Sequence, residues 1–422
     1  MKPIPVQDAP GAAVPAPPTR RRPDRGSRAA QAVFLELLDK HLSHGALRLI
    51  VDGAPVVVGA AEGAESVPTL RVHDPRFFRR VLGEGNLGLG EAYMDGDWTM
   101  EEGEVHDFLA ILLRNRIDRK VRADPATAWK VFKVQAANLL RGRQWGHVQQ
   151  HYDLGDDLFE SFLDSTLTYS CGYARTPGDS PDELQFNKLD RICQKLELRP
   201  GDRLLDIGCG FGGLLVHAAT HYGATGMGIT TSQRHHEHGN ERIRSAGVGD
   251  RVRIELRDHR SIEGEFDRVV SVGMMEHLPR KEYGRYFARI AAVLPPHGIG
   301  LVHAVGCNGQ RNEHDPFTQK YIFPGSGQPR LSEMTAGCER HGLAIRDVEN
   351  LIRHYGYTAH GWLESFRANQ HRLDPVRYDA RFRRMWEYYL SCAVAAASYS
   401  DAALYQVLFM KDYAGPMPLH RV

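Results

Sequence analysis

The chain has 422 residues, of which 42% are hydrophobic, 25% charged and 9% aromatic. That is the composition of a folded globular protein with room for two or three domains, and it excludes collagen-like and disordered classes. Lys and Arg number 53 against 52 Asp and Glu, a formal charge of +1, which argues against a surface coated for duplex nucleic acid. No window approaches the roughly 18 to 20 apolar residues of a bilayer-spanning helix. The first 28 residues lack the apolar centre of a secretory signal, so a cytoplasmic chain is expected. Six scattered cysteines, Cys171, Cys193, Cys209, Cys307, Cys338 and Cys392, include no CxxC pair and suit free thiols better than disulfides or a metal site.

Residues 1–28 read as a tail, with too few large apolar side chains to offset the entropy of ordering. Six basic residues face two acidic ones there. Such a tail is either a solubilising segment or a weak anchor for acidic headgroups. Residues 29–115 form a small α+β accessory domain: an amphipathic helix around 34–42, strands over 46–51 and 55–58, and a Gly-rich stretch at 83–90. It offers no nucleophile and base set. Residues 116–145 read as a basic amphipathic linker. Over 114–143, nine Lys and Arg face two Asp, with Trp129, Phe132, Leu139, Leu140 and Trp145 interleaved. Both a helix lying on an anionic membrane and a helix packing its aromatics on the next domain fit that pattern.

The last domain, 146–422, alternates short apolar strands (203–207, 225–229, 252–256, 267–272, 298–305) with segments of helical length. That is the signature of an α/β domain with a mainly parallel sheet. Beyond residue 331 come a helix, a strand near Ile345, long helices over 359–368 and 375–396, and a last strand over 404–410. Asp374 before Pro375 reads as the N-cap and first-turn pair of the second long helix.

The segment LLDIGCGFGG over 204–213 crowds glycines between a strand and a helix, where backbone must approach a ligand closely. Asp206 makes the site better suited to a cationic amino-acid headgroup than to a diphosphate. The pattern resembles the first motif of Rossmann-like S-adenosylmethionine-dependent methyltransferases. No acid follows the second strand to hold ribose hydroxyls; the chain reads GITTSQRH over 228–235. After the third strand, Asp258 is placed to accept from an adenine amine.

Six further segments follow in order: VQQHYD (148–153), LTYSCGY (167–173), VVSVGMMEH (269–277), GLVH (300–303), KYIFP (320–324) and MWEYYL (385–390). With these the chain resembles the cyclopropane-fatty-acyl-phospholipid synthases, from about residue 30 to residue 412. The resemblance implies transfer of a methylene from S-adenosylmethionine to the cis double bond of an unsaturated acyl chain in a membrane phospholipid, closing a ring. It also implies a seven-stranded sheet with a terminal antiparallel strand, a lid from 145–175 with the late helices, an apolar tunnel, and a homodimer joined through the accessory domain. The enzyme would visit the inner face of the membrane peripherally.

An alkene is a feeble nucleophile, so catalysis has to come from orientation and tolerance of a developing carbocation. The rings of Tyr169, Tyr388 and Tyr389 are candidates. By the resemblance, the base that removes the proton is a bound bicarbonate held by Cys171 through its backbone, Glu276, His303 and Tyr389. The same resemblance assigns Tyr169, Ser170, Gly208, Gly210, Thr230 and Asp258 to the cofactor. Relatives tend to carry Gln where this chain has His235, which puts that ribose contact in doubt. His235, His236 and His238 open a helix away from other ligands, and no metal is expected. Alternative outcomes are a methyl or methylene branch without ring closure, and a non-catalytic lipid-binding relative. A nucleic-acid methyltransferase is disfavoured by SVGMME at 271–276, which is not the Asn-Pro-Pro-aromatic run used to hold a flipped base.

Overall fold

The computed structural model describes residues 24–60, 67–140, 154–309 and 314–411. The chain divides into two compact units: Met1–Gly103 with Asp118–Asp153 and Phe366–Trp386, and Glu104–Ile117 with Leu154–Ser365 and Glu387–Val422.

The first unit holds a four-stranded sheet of β1 (Ala46–Val51), β2 (Ala54–Gly59), β3 (Thr69–Val72) and β4 (Trp98–Glu102), in the order β2-β1-β3-β4. Its helix Arg25–His41 is capped by Asp24, whose carboxylate accepts from Ser27 N; this helix starts within the expected tail, whose residues 1–23 lie outside the described ones. The Gly-rich stretch is helical, split by Gly85 into Arg76–Glu84 and Asn86–Met94. Phe34, Phe77, Phe78 and Trp98 interlock edge to face at 5.1–6.2 Å between ring centres, which supplies this unit's core.

The basic stretch forms two helices, Ile117–Ala123 and Pro125–Leu140. The break falls at Asp124, whose carboxylate accepts from Thr127 Oγ1 and Lys40 Nζ, with Pro125 suited to a first helical position. Trp129 and Phe132 are 56% and 54% exposed. They stack at 5.5 Å and 17°, and Lys133 Nζ lies 5.4 Å from the Trp129 ring centre. These two rings are therefore not packed away in a core. Arg141, Arg143 and Trp145 lie outside the described residues, as does the motif at 148–153.

The second unit is built on seven strands: β5 (Arg203–Ile207), β6 (Thr225–Thr230), β7 (Val252–Leu256), β8 (Arg268–Val272), β9 (Ile299–Cys307), β10 (Ala344–Asn350) and β11 (Ala402–Met410), in the order β10-β11-β9-β8-β5-β6-β7. Helices cover both faces, so the inner strands β5 and β8 bury residues of either parity: Leu204 and Val270 join one core, Leu205 and Val269 the other. That double burial is why these strands read as unbroken apolar runs. The antiparallel strand is β11, the last described strand, and it lies between β10 and β9 rather than at the edge. Strand order reverses between β8 and β5, and the crevice at the carboxyl ends there is where open α/β sheets bind ligands.

The late helices run Ile352–Asn369 and Ala380–Tyr399. The second one starts later than the sequence suggests. Asp374 and Pro375 form a turn instead, with Asp374 Oδ1 accepting from Val376 N, and Asp379 Oδ1 accepts from Phe382 N at the helix start. Asp379→Ala is expected to lower stability by about 1 kcal/mol and Asp374→Ala by less than about 0.5 kcal/mol, measured by urea denaturation; the reverse ranking would restore Asp374 as the cap.

Candidate active site

β5 ends at Ile207 and the helix Gly213–Tyr222 starts six residues later, so residues 208–212 make the whole turn from sheet to helix. Gly208 has a φ of +80°, and a Cβ there would come within 2.9 Å of Met274; Gly210 has a φ of +54°, and a Cβ there would enter open space. The loop thus lays bare backbone against a free volume, which fits a ligand approaching closely. Asp206 sits behind it, 3% exposed. Burial pushes its carboxyl up to about 7, with Lys188 pulling the other way.

Thr230 ends β6, and its Oγ1 accepts from Ser232 N at 3.1 Å. Asp258 follows β7 and is gripped by Arg260 at 2.8 Å on both oxygens, which holds its carboxyl down at about 2. An adenine amine would share that carboxylate with a guanidinium. His235 packs its ring against Phe211 at 4.6 Å, and burial, with Arg234 and His238 adding repulsion, lowers its pKa. It is a neutral aromatic neighbour of the glycine loop.

The segment 169–173 crosses above these strand ends. Ser170 Oγ accepts from Lys188 Nζ at 3.1 Å, and Ser170 O accepts from Gln185 Nε2 at 2.8 Å. Lys188 is only 1% exposed; burial lowers it to about 8, while Asp164, Cys171 and Asp206 oppose that fall. Cys171 is buried, and its thiol is pushed up to about 12 by burial. The thiol is therefore no nucleophile near neutral pH; it donates to Gly172 O and Leu351 O.

Tyr169 is the centre of an aromatic cage. Its ring meets Trp362 at 5.1 Å, Phe159 at 5.6 Å, Phe162 at 5.7 Å and Phe323 at 6.4 Å, and its hydroxyl lies 2.9 Å from that of Tyr389. Tyr389 is also hydrogen-bonded to Tyr355. Burial holds all three phenols protonated. Tyr388 is placed elsewhere: it packs on Phe317 at 4.8 Å, one helical step away from Tyr389.

Glu276 lies in the short helix Met275–His277 just past β8. Its Oε1 accepts from Val305 N at 3.2 Å, and Gly273 N donates to His303 O at 2.9 Å. The carboxylate and the imidazole are thus tied to the same stretch of β9, two residues apart. A Cβ on Gly273 would lie 3.9 Å from both Glu276 Oε1 and Ser170 Cβ, so the segment 169–173 closes over the same place. Burial raises the Glu276 carboxyl to about 7. His303 is held well below its ordinary value by burial and by the charges of Lys188 and Lys195. Glu276 Oε2 and His303 Nε2 are buried, and neither has a hydrogen-bond partner among the described residues. Orphaned buried polar atoms are costly, so each of the two fits contact with a bound ligand.

The structure brings Tyr169, Ser170, Glu276, His303 and Tyr389 together, with Asp206, Gly208 and Gly210 beside them and Thr230 and Asp258 further along the same sheet edge. Sequence reasoning missed Tyr355, Trp362, Lys188, Lys195 and Gln406. For the lysines a signal existed: Lys188 and Lys195 fall on the apolar stripe of the helix Pro181–Lys195 with Leu184 and Ile192, where lysine seldom stands without a partner.

The mycolic acid cyclopropane synthetase family model matches residues 141–407. The chain belongs to that family. The cyclopropane-fatty-acyl-phospholipid synthase of Escherichia coli (strain K12) is 37% identical over 354 residues, 84% of this chain and 90% of that protein. The tuberculostearic acid methyltransferase UfaA1 of Mycobacterium tuberculosis is 32% identical over 401 residues, 91% of this chain and 92% of that protein. Among solved structures, the cyclopropane synthase MmaA2 of Mycobacterium tuberculosis superposes with a TM-score of 0.58 at 27% identity, covering 63% of this chain and 97% of that one. The mycolic acid cyclopropane synthase CmaA1 complexed with SAH and CTAB gives 0.55 at 27% identity, covering 64% and 98%. With the glycine loop, this family membership makes the chain an S-adenosylmethionine-dependent methyltransferase.

The raised carboxyl of Glu276 has a thermodynamic consequence. The folded state keeps its proton up to about pH 7 while the unfolded chain loses it near 4.5. The stabilisation is therefore full below the unfolded value and is lost as pH rises toward 7. Glu276→Gln is expected to remove that loss, so the variant gains on the wild type by about 1–3 kcal/mol between about pH 5 and pH 8 in urea denaturation; parallel curves would show that Glu276 ionises freely.

Proposed function

We propose that this enzyme transfers a methylene from S-adenosylmethionine to the cis double bond of an unsaturated acyl chain in a membrane phospholipid, forming a cyclopropane ring, with bound bicarbonate as the base. The observation that carries the reading is the pair of orphaned atoms, Glu276 Oε2 and His303 Nε2, buried beside an aromatic cage. S-adenosylmethionine supplies the methyl group on a positively charged sulfur. Gly208 and Gly210 admit it, Asp206 faces its amino-acid end, and Tyr169 and Ser170 cover it. Bicarbonate supplies proton-accepting oxygens next to the reacting carbons. A neutral His303 has an N–H to give such an anion, Tyr389 a hydroxyl and Cys171 its backbone amide. Glu276, titrating near 7, accommodates a neighbouring anion by sharing a proton. The rings around Tyr169 stabilise developing positive charge on the alkene by their π faces and exclude water that would capture it.

The deciding assay is incubation with labelled S-adenosylmethionine, bicarbonate and vesicles of an unsaturated phospholipid. A product heavier by one CH₂ with upfield ring methylene protons in its NMR spectrum is expected. Glu276→Gln is expected to lower turnover by about 100-fold or more while S-adenosylhomocysteine affinity changes within a few fold; loss of cofactor affinity instead would put Glu276 in the wrong site. The tuberculostearic acid methyltransferase among the relatives favours a second reading, a methyl-branched product without a ring. The same spectrum separates the two. Vesicle binding without either product would leave a lipid-binding relative.

Access to the acyl chain is proposed to be peripheral, at the inner face of the membrane. The exposed Trp129 and Phe132 on the basic helix Pro125–Leu140 support this, since aromatic rings settle at the headgroup level and lysines favour anionic lipid. Replacing both rings by Ala is expected to weaken binding to vesicles containing anionic lipid at least tenfold, and binding of the wild type is expected to fall as salt rises; indifference to both would remove the membrane role. The proposed homodimer rests on the resemblance alone.

A further inference from the structure

Outside the residues assigned so far, the least ordinary feature of the second unit is a row of polar side chains running through an otherwise apolar sheet. Glu349 on β10, Gln406 on β11 and His303 on β9 are direct cross-strand neighbours: Glu349 pairs with Gln406, and Gln406 with His303. Gln406 is 1% exposed and His303 1%. Lys195, the last residue of the helix Pro181–Lys195 and 3% exposed, lies against this row. Its Nζ donates to Glu349 Oε2 at 2.6 Å and to Gln406 Oε1 at 2.7 Å. Arg191 holds both oxygens of Glu349 at 3.0–3.1 Å. Gln406 Nε2 lies 3.1 Å from His303 Nδ1.

The donor and acceptor inventory gives this chain one direction. An ammonium paired with a carboxylate has three donors and no acceptor, so the side of the Gln406 amide that meets Lys195 has to be its oxygen. The amide nitrogen then faces His303, and an NH₂ group only donates. Nδ1 of His303 must accept, which leaves the proton of the neutral ring on Nε2. Nε2 is the buried atom with no partner among the described residues.

We infer that Lys195 and Gln406 are positioning residues that lock His303 in the Nε2–H tautomer, so that the imidazole presents a donor to an anion in the site. The opposite tautomer would turn a lone pair toward that anion and repel it. Burial and the neighbouring Arg191 cation work against the charge on Lys195, while its hydrogen-bonded ion pair with Glu349 favours it, and a charged Lys195 holds the Gln406 amide against a 180° flip. The inference rests on the bicarbonate reading for the identity of the anion, and on the geometry alone for the tautomer.

The test is imidazole ¹⁵N NMR of histidine-labelled protein, with His303→Gln used to assign the resonances. In the wild type, His303 is expected to show a protonated Nε2 and a bare Nδ1 from about pH 6 to pH 9. Gln406→Leu is expected to populate the Nδ1–H form and to lower kcat about 100-fold, with S-adenosylhomocysteine affinity kept within about threefold. Gln406→Glu adds a readout that a purely structural role would not move. Its carboxyl donates to Nδ1 only while protonated, so its kcat relative to wild type is expected to fall as pH rises. A wild-type ring protonated on Nδ1, or a His303 spectrum unchanged by Gln406→Leu, overturns the inference. Wild-type turnover that ignores added bicarbonate overturns the choice of anion instead, while the tautomer shift in Gln406→Leu still upholds the lock.

Discussion

The pairing of β11 with β9 is the constraint on which the rest of the site depends. Nine consecutive residue pairs, from Ala402 with Cys307 to Met410 with Ile299, hold the two strands antiparallel. Because side chains alternate, a slip of one residue would move every β11 side chain to the opposite face. In the observed register Gln406 stands opposite His303, and Phe409 stands opposite Gly300 and fills the space a side chain would need. β9 in turn carries Val305, whose amide fixes Glu276. The groups assigned to chemistry are thus set by strand geometry more than by the loops that display them.

Electrostatics follow from what that geometry buries. Lys188 and Lys195 lie two turns apart on the same face of a single helix, and each is matched: Lys188 with Ser170, Asp164 and Asp206 nearby, Lys195 with Glu349 and Gln406. An unmatched ammonium in such a place would lose its proton. Burial, aided by the charges of these two lysines, lowers the His303 imidazole, while desolvation raises the carboxyls of Glu276 and Asp206 to about 7. The result is a cluster of hydrogen-bonding groups and aromatic rings with cations behind it. Under the proposed function, such a setting would receive an anion and a transient carbocation without placing a permanent charge against either.

Much of this is legible in the sequence, for identifiable reasons. β5 and β7 read off the chain to the residue because short apolar runs end abruptly at glycine or charge. The glycine loop and Glu276 stand in contiguous motifs. Gln406 and Lys195 do not: they are 211 residues apart, and nothing local marks a glutamine in an apolar strand as opposite a histidine a hundred residues earlier. Asp379 was hidden for another reason. Asp374 with Pro375 is the stronger local cap signal, and packing of the following aromatic residues delays the helix past it. The overall charge of +1 likewise conceals a basic helix with two exposed rings, since a sum carries no position.

The placement of β11 also bears on the order in which the molecule can be made. It is the last described element of the chain, yet it is an inner strand, flanked by β10 and β9. Until residues 402–410 have emerged from the ribosome, β9 shows an unpaired edge, β10 has no partner strand, and Lys195 lacks Gln406. A nascent chain of this kind reaches its final sheet by inserting one strand between two waiting ones. That long-range closure is slow in comparison with local helix formation, and it leaves sticky edges exposed while it is pending. The polar row that ends at His303 is therefore complete only with β11 in place, whereas the loop at 208–212 needs only its own strand and helix.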